Sequence, residues 1–413
     1  MMKYYFVGIK GTGMSALAMF LKEKGHFVAG ADTKDYIFTE ERLKNNNVKI
    51  ESFDDMNYQD FDFIVLGNSF SDMKIENKKT IKYPNLLEEI INDHISIAVA
   101  GTHGKTTTST FLANMLNSNC LIGDGNSTFN NSPYFVFEAC EYNRVFLNYH
   151  PDYLVITNID YDHVDYYKTK EDYRNAFLEF ISQVKTKVIV NGDDAFLRNI
   201  PNAISYGLSK NNNVFADNIK LHKKGITFDL YIDKKYQRTM NLNIYGKHNL
   251  LNVLACISVL YILGEKIRIK ALPLAKRRFT ESKYKNNIFI DDYGHHPNEI
   301  KATIDSIKQK YPNKKIVLIF KPDRYSRIKK FGLDFVEVFK MVDEAYITPF
   351  PTCSKKEAGI DIKDDYLSTL DESIILLKDD YSRFKNYQNN LFLMSSSKNV
   401  NTIKEGIIRE MKK

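Results

Sequence analysis

"IAVAGTHGKTTTS", residues Ile97 to Ser109, sets an apolar strand, a glycine turn and a helix start in immediate succession. The usual phosphate loop is Gly, four residues, then Gly-Lys-Ser/Thr. Gly104-Lys105-Thr106 fits its end, but Val99 occupies the position of its first glycine, and the nearest earlier glycine is Gly101. The context is nevertheless the one that phosphate binding needs. Backbone N–H groups at a helix start hold phosphate oxygens, and the helix dipole favours negative charge there. Lys105 supplies a point charge for outer phosphates, and the Thr106 hydroxyl can ligate Mg²⁺. Three successive threonines, Thr106, Thr107 and Thr108, after Gly-Lys argue against an ordinary surface turn.

Around this stretch the chain runs to 413 residues, which predicts two or three domains rather than one core. Its 43% hydrophobic and 26% charged residues read as a soluble globular protein. No apolar run approaches the roughly 20 residues of a membrane helix. The start, "MMKYYFVGIKGTG", goes directly into a strand without a signal peptide's long apolar stretch, so a cytoplasmic protein is expected. A net charge of +7 is scattered among acids, which argues against a nucleic-acid surface and leaves room for basic clefts. Cys120, Cys140, Cys256 and Cys353 lie far apart with no CxxC pair, so reduced thiols are expected rather than zinc or disulfides.

Upstream, strand and helix alternate. "KYYFVGI" reads as a strand, "MSALAMFLKEKG" as a helix with Gly25 just past its end, and "HFVAGAD" as the next strand. "FTEERLKNNN" reads as a helix and "FDFIVLG" as a third strand. This βαβ pattern implies a parallel sheet with ligands at the carboxyl ends of its strands. Gly8-x-Lys10-Gly11-x-Gly13 is close to a dinucleotide fingerprint without its spacing, and Asp32 stands where a ribose partner would. Close helix–strand packing accounts for such glycines equally well.

Downstream, the strands "YFVFEAC" and "YLVITNI" carry Glu138 near the end of one and His163 after the other. Beside the phosphate loop this pair could hold Mg²⁺ or a Mg²⁺-bound water; read locally, each is an ordinary cap or surface residue. A helix begins near His248, its Leu250, Leu251, Leu254, Ile257 and Leu260 at core spacing. Asn249 and Asn252, at i and i+3, can face one ligand or serve as caps. After Gly264 a third alternating segment follows. "DDYGHHP" (Asp291–Pro297) lies between strand and helix, with Arg324 and Arg327 beyond the next strand. His295 and His296 could bind a metal, although adjacent side chains rarely converge. His295 with the two arginines better suits a carboxylate, which Arg pairs bidentately.

Taken together these residues resemble the Mur ligase family, over essentially the whole length and in order. The carriers are "FVGIKGTGMSALA", "AGTHGKTTTS", "FEACEYN", "TNIDYDHVDYY", "GKHNLLNVLA", "RRF", "DDYGHHPNEI" and "KPDRYSR". The phosphate loop, the HNxxN helix and the DH pair mark the wider family. The first motif and "DDYGHHP" point to its alanine-adding branch. The resemblance implies an α/β protein of three domains: a Rossmann-like N-terminal domain (1–93), a central P-loop ATPase-type α/β domain (94–267) and a C-terminal Rossmann-like α/β domain (268–413). It implies ATP-dependent amide formation between UDP-N-acetylmuramate and L-alanine through an acyl phosphate, with ATP and Mg²⁺, by a monomer or weak homodimer. A sister ligase joining another amino acid or a recovered peptide to the same UDP-sugar acid is the alternative.

Position by position, the resemblance implies that Gly101, Thr102, Gly104, Lys105, Thr106 and Thr107 cradle ATP. Asn249 and Asn252 would meet the adenine, Asp292 the ribose, and Arg278 the phosphates on closure. Thr106, Glu138 and His163 would hold metal. Gly11, Thr12, Gly13, Met14 and Ser15, with Asp32 and Ser69, would take the UDP part. Tyr293, His295, Arg324 and Arg327 would line the amino-acid site. Departures from the pattern are Lys10, compatible with a neighbouring diphosphate, and Cys140 within a depleted acidic run. Asp323 could face the incoming ammonium, and Ser396-Ser397-Lys398 replaces a late glycine turn. A nicotinamide-dependent oxidoreductase would leave Gly104-Lys105-Thr106 and His248-Asn249 unexplained. An inactive nucleotide-binding module sits poorly with retained Lys105, Glu138 and His163.

Overall fold

The computed structural model describes residues 1–75, 79–269, 272–350, 357, 360 and 362–413. Its first unit comprises β1 (Lys3–Val7), α1 (Thr12–Glu23), β2 (Phe27–Asp32), α2 (Glu40–Asn45), β3 (Lys49–Ser52), β4 (Phe63–Leu66), β5 (Lys79–Lys82) and α3 (Tyr83–Asn92). The strands pair in parallel in the order β3-β2-β1-β4-β5. Strand order reverses at β1/β4, which opens a crevice at their carboxyl ends. Two expectations need correction here. "FDFIVLG" holds the fourth strand, because the short, half-polar Lys49–Ser52 adds an edge strand beside Ala29–Asp32. The helix expected across Phe38–Asn47 covers only Glu40–Asn45, and Asn47 turns left-handed at φ 55°.

The central unit begins with β6 (Ile95–Ala100), α4 (Lys105–Leu116), β7 (Asn119–Leu121), β8 (Ser127–Thr128), β9 (Tyr134–Glu138) and β10 (Tyr153–Ile156). It continues with α5 (Lys170–Ser182), β11 (Lys187–Asn191), β12 (Ile204–Gly207), β13 (Val214–His222), β14 (Gly225–Ile232), β15 (Lys235–Leu242) and α6 (Lys247–Leu263). Strands β10, β6 and β9 are adjacent and parallel, so the ends carrying the phosphate loop, Glu138 and the Thr157–His163 segment lie side by side. Strand β6 is apolar without alternation because both its faces are covered. Helix α6 is apolar nearly all round and buries Leu250, Val253, Leu254 and Ile257 with Phe111 and Leu112 of α4. The antiparallel run β13-β14-β15 extends one edge of this sheet.

The last unit comprises β16 (Thr280–Tyr284), β17 (Asn287–Asp292), α7 (Pro297–Lys310), β18 (Lys315–Phe320), α8 (Tyr325–Phe339), β19 (Glu344–Ile347), α9 (Tyr366–Leu370), β20 (Ile374–Leu376), β21 (Asn390–Ser395) and α10 (Asn401–Glu410). Its sheet runs β16-β17-β21-β18-β19-β20, with only β16 antiparallel to its neighbour among the described residues. The three-domain α/β architecture is thus present.

The first two units share one core. Phe20 of α1 meets Phe135 of β9 edge-on at 5.5 Å. Arg42 donates to the carbonyls of Gly125 (2.9 Å) and Ser127 (2.8 Å). The third unit touches the central one through polar and ring contacts, among them Asn298 Nδ2 to Asp160 at 3.0 Å and Tyr245 stacked on Phe279 at 6.2 Å. Cys120, Cys140 and Cys256 are free thiols, and Cys353 lies outside the described residues.

Candidate active site

Left-handed backbone shapes the phosphate loop at Gly101 (φ 128°) and Gly104 (φ 82°). A Cβ at Gly101 would sit 2.1 Å from Thr157 Oγ1, so only glycine lets the loop pass the neighbouring strand. Thr102 is fastened by its hydroxyl to the Asp160 carbonyl at 2.6 Å, and the His103 amide donates to Asn158 Oδ1 at 3.0 Å. The loop is therefore held before any ligand arrives.

Lys105 Nζ donates to the carbonyl of Thr102 (3.1 Å) and to Glu141 (3.0 Å). Glu141 is 1% exposed and also accepts from His163 Nε2 at 3.2 Å. Burial opposes its ionisation, but Lys105 and then His163 outweigh that and hold its carboxyl below the usual range. Glu138 has a different environment. It accepts from the Gly123 amide (2.5 Å), the Thr106 hydroxyl (3.3 Å) and the Ser109 hydroxyl (3.4 Å), and burial raises its carboxyl.

The expected metal trio is therefore split. Thr106 touches Glu138, while His163, at a left-handed φ of 52°, turns to Glu141 and leaves Nδ1 without a partner among the described residues. No group of three His, Cys, Asp or Glu side chains forms a metal cage among the described residues. A Mg²⁺ ion needs only one or two carboxylates beside water and phosphate oxygens. A desolvated carboxylate without a cation of its own, next to a hydroxyl, fits that requirement.

Facing the loop, a cavity of about 280 Å³ joins the central and last units. Gly104, Asn249, Asn252, Arg278, Asp292 and Glu299 are among its walls. Asn252 Nδ2 donates to Asn249 Oδ1 at 3.3 Å, so the two amides form one polar edge. Asp292 accepts from the amides of Phe279 and Gly294, both at 2.9 Å, and burial raises its carboxyl. Arg278 lies over the Tyr293 ring at 4.9 Å and reaches Glu299 at 3.8 Å.

The amino-acid set gathers at the same seam, already paired. Arg327, 2% exposed, donates to Asp323 (2.8 and 2.9 Å) and to Asp162 (3.0 and 3.2 Å). Burial opposes ionisation of Asp162, yet the Arg327 charge holds its carboxyl well below the usual range. Arg324 donates to Asp165 at 2.7 Å and lies over Tyr142. His295 Nδ1 lies 3.0 Å from the Tyr293 carbonyl. Asp323 does not stand open for an ammonium, because Arg327 and the Ser397 hydroxyl (2.7 Å) take its oxygens. The carbonyls of Ser396, Ser397 and Lys398 all accept from Arg277, at 2.7, 3.1 and 2.7 Å.

In the first unit, a cavity of about 320 Å³ is lined by Gly11, Thr12, Gly13, Met14, Asp32 and Ser69, among others. Ser15 is one turn inside α1, its hydroxyl donating to Thr12 O at 3.1 Å. Asp32 accepts from the amides of Lys10 (2.6 Å) and Thr33 (2.8 Å). Lys10 corrects its expectation: its ammonium is 2.6 Å from Glu40 and donates to the carbonyls of Thr33 and Asp35 at 2.9 Å. Buried in that cage, it is not among the residues lining the cavity.

The sequence reading missed Glu141, Asp162, Glu299 and His103 as site residues. His103 lies 3.5 Å from Asp160 and 3.4 Å from Glu299, bridging two units, and these carboxylates raise it against the effect of burial. Its place inside the loop motif was the available signal. Burial pushes His248 to about 4, and burial together with the charge of His103 pushes His296 to about 4. The unfolded chain protonates both near 6.5. Between those values the unfolded state binds more protons, so this stabilisation is complete above 6.5 and lost as pH falls toward 4. Each histidine contributes a slope of up to about 1.4 kcal/mol per pH unit. His103 acts with opposite sign and in a separate window, above 6.5. The thermal midpoint is expected to drop between pH 6.5 and 4.5, less steeply in His248→Gln; parallel profiles would contradict the assignment.

Three α/β units in series, with a strand–loop–helix phosphate cradle in the middle one, define the class: an α/β enzyme of the phosphate-loop type. Three family models match the chain: Mur ligase family, catalytic domain (residues 3–94), Mur ligase middle domain (99–260) and Mur ligase, glutamate ligase domain (277–382). The chain is 41% identical over 379 residues to a UDP-N-acetylmuramate–L-alanine ligase of Ligilactobacillus salivarius, covering 86% of this chain and 85% of that one. In fold it is similar to the UDP-N-acetylmuramate-alanine ligase of Thermotoga maritima (TM-score 0.81, 23% identity, 100% and 99% of the two chains). It is also similar to a murein peptide ligase of Psychrobacter arcticus (TM-score 0.70, 21% identity, 100% and 99%). A third is a MurF ligase of Thermotoga maritima in complex with ADP (TM-score 0.65, 18% identity, 93% and 95%). The chain belongs to the Mur ligase family.

Proposed function

We propose that the chain joins L-alanine to UDP-N-acetylmuramate at the expense of ATP and with Mg²⁺, in the cytoplasm, dividing its work among domains 1–93, 94–267 and 268–413. The observation that carries this is the seating of Lys105 and Thr106 at the start of α4 beside Glu138 at the end of β9, next to Gly104 and Thr107, which line a cavity together with Arg278 and Asp292. The 41% identity to a ligase of that name supports the choice of substrates.

A carboxylate is a poor electrophile with a poor leaving group. Its oxygen must first take the γ-phosphoryl group from ATP, releasing ADP. The neutral amine nitrogen then attacks the acyl carbon, the C–O bond to phosphate breaks with its electron pair leaving on phosphate, and the nitrogen gives up one proton to solvent. Bound Mg²⁺ would supply positive charge between the two anions, held by Glu138 and Thr106 with His163 nearby. Lys105 and the N-terminus of α4 hold the outer phosphates. For Lys105 this means exchanging Glu141 for phosphate oxygens. Asn249 and Asn252 receive the base. Arg324, half-exposed beside Asp165, is the cation placed to orient the amino acid's carboxylate, and Arg327 fixes the start of α8 from beneath through Asp323 and Asp162. The first-unit cavity takes the UDP part.

Phosphate release with ATP, Mg²⁺ and UDP-N-acetylmuramate, screened across single amino acids and a tripeptide, tests the reading. L-alanine is expected to give the highest kcat/KM. Turnover with peptide alone would overturn it in favour of a peptide-adding sister.

A further inference from the structure

The first-unit cavity has one wall that its glycine motif does not account for. Tyr83 opens α3, the helix that leads into β6 and the phosphate loop, and its side chain lines the cavity opposite Gly13. A Cβ on Gly13 would lie 2.8 Å from Tyr83 Oη and 3.0 Å from Cζ. The phenol thus rests directly on the first turn of α1, and glycine at position 13 admits the ring as well as any ligand. Tyr83 is half-buried, and its hydroxyl has no hydrogen-bond partner among the described residues. Burial above all, with the nearby Glu138 carboxylate, raises the phenol, so it remains a donor. A free donor beside a helix N-terminus, where backbone N–H groups already attract anions, is suited to a phosphate oxygen.

We propose that Tyr83 is a substrate-positioning residue whose hydroxyl donates to the diphosphate of a uridine nucleotide seated at the N-terminus of α1. This rests on reading that cavity as the UDP-sugar site, and it adds a contact from outside the glycine motif. Because α3 runs on into β6, the contact ties the seat of the substrate to the strand that leads into the loop before Lys105.

The test is calorimetric binding of UDP and of uridine to the full chain and to Tyr83→Phe, which keeps the ring and removes only the donor. UDP affinity is expected to fall on the order of tenfold, the scale for a hydrogen bond to a charged group, with uridine affinity and the thermal midpoint unchanged. Equal weakening of UDP and uridine would place the hydroxyl against the base or in packing and overturn the proposal. Unchanged UDP affinity, or no UDP binding by the parent chain, would overturn it as well. Selective loss for UDP in a chain that fails to turn over UDP-N-acetylmuramate would uphold Tyr83 while sinking the sugar-acid reading.

Discussion

Lys105→Ala is expected to abolish ATP-dependent phosphate release, by at least about 10³-fold, because nothing else in the loop places a full positive charge on the outer phosphates. The same change is expected to lower stability. Lys105 is the first of two groups that Glu141 faces, and Glu141 is 1% exposed. Removing Lys105 leaves that buried carboxylate with His163 alone, at a cost of up to about 3–5 kcal/mol. Adding Glu141→Gln to Lys105→Ala takes away the stranded charge, so the double variant should melt close to the parent and stay inactive. Thermal unfolding and phosphate release on the three proteins separate the two effects. Residual turnover above a hundredth of the parent in Lys105→Ala would remove Lys105 from its assigned role.

Arg327→Met is expected to destabilise the protein by about 3–5 kcal/mol, since it strands two carboxylates. Asp162 and Asp323 are 6% and 7% exposed, and the guanidinium spans both. Arg327→Lys should recover little, because a compact ammonium cannot reproduce a planar fork that serves two carboxylates. Denaturant unfolding measures the loss, and a change below about 1 kcal/mol would show that the pairing carries no net stability. A selective rise in KM for the amino acid is expected as well, since Asp323 and Arg327 fix the segment bearing Arg324. Both carboxylates are held low despite burial, so this stabilisation is present above about pH 4 and lost on further acidification.

Legibility in the sequence followed the range of the interactions. The strand–glycine–helix run at Ile97–Ser109, the core helix from Lys247 and the βαβ alternation were readable because each rests on contacts a few residues apart. The edge strand Lys49–Ser52 was not, since four residues of mixed polarity carry no periodic signal. Glu138 and the loop were rightly placed together, because parallel strand order puts their ends side by side. His163 was assigned to the same cluster, but which ring nitrogen meets which carboxylate depends on a left-handed turn that the local sequence does not reveal.

Charged residues show where the boundary falls. The sequence by itself determined the family, the three α/β units and the phosphate loop, since those depend on local pattern and residue type. Only the tertiary structure decided the partners of the charges. Lys10 goes to Glu40 rather than to a ligand, Lys105 to Glu141, and Arg327 to Asp162. Lys105 and Glu141 are 36 residues apart, and Arg327 and Asp162 are 165 apart. A buried charge takes whichever opposite charge the fold brings within reach, because desolvation makes an unpaired one too costly, and that choice is made only when the sheets are assembled.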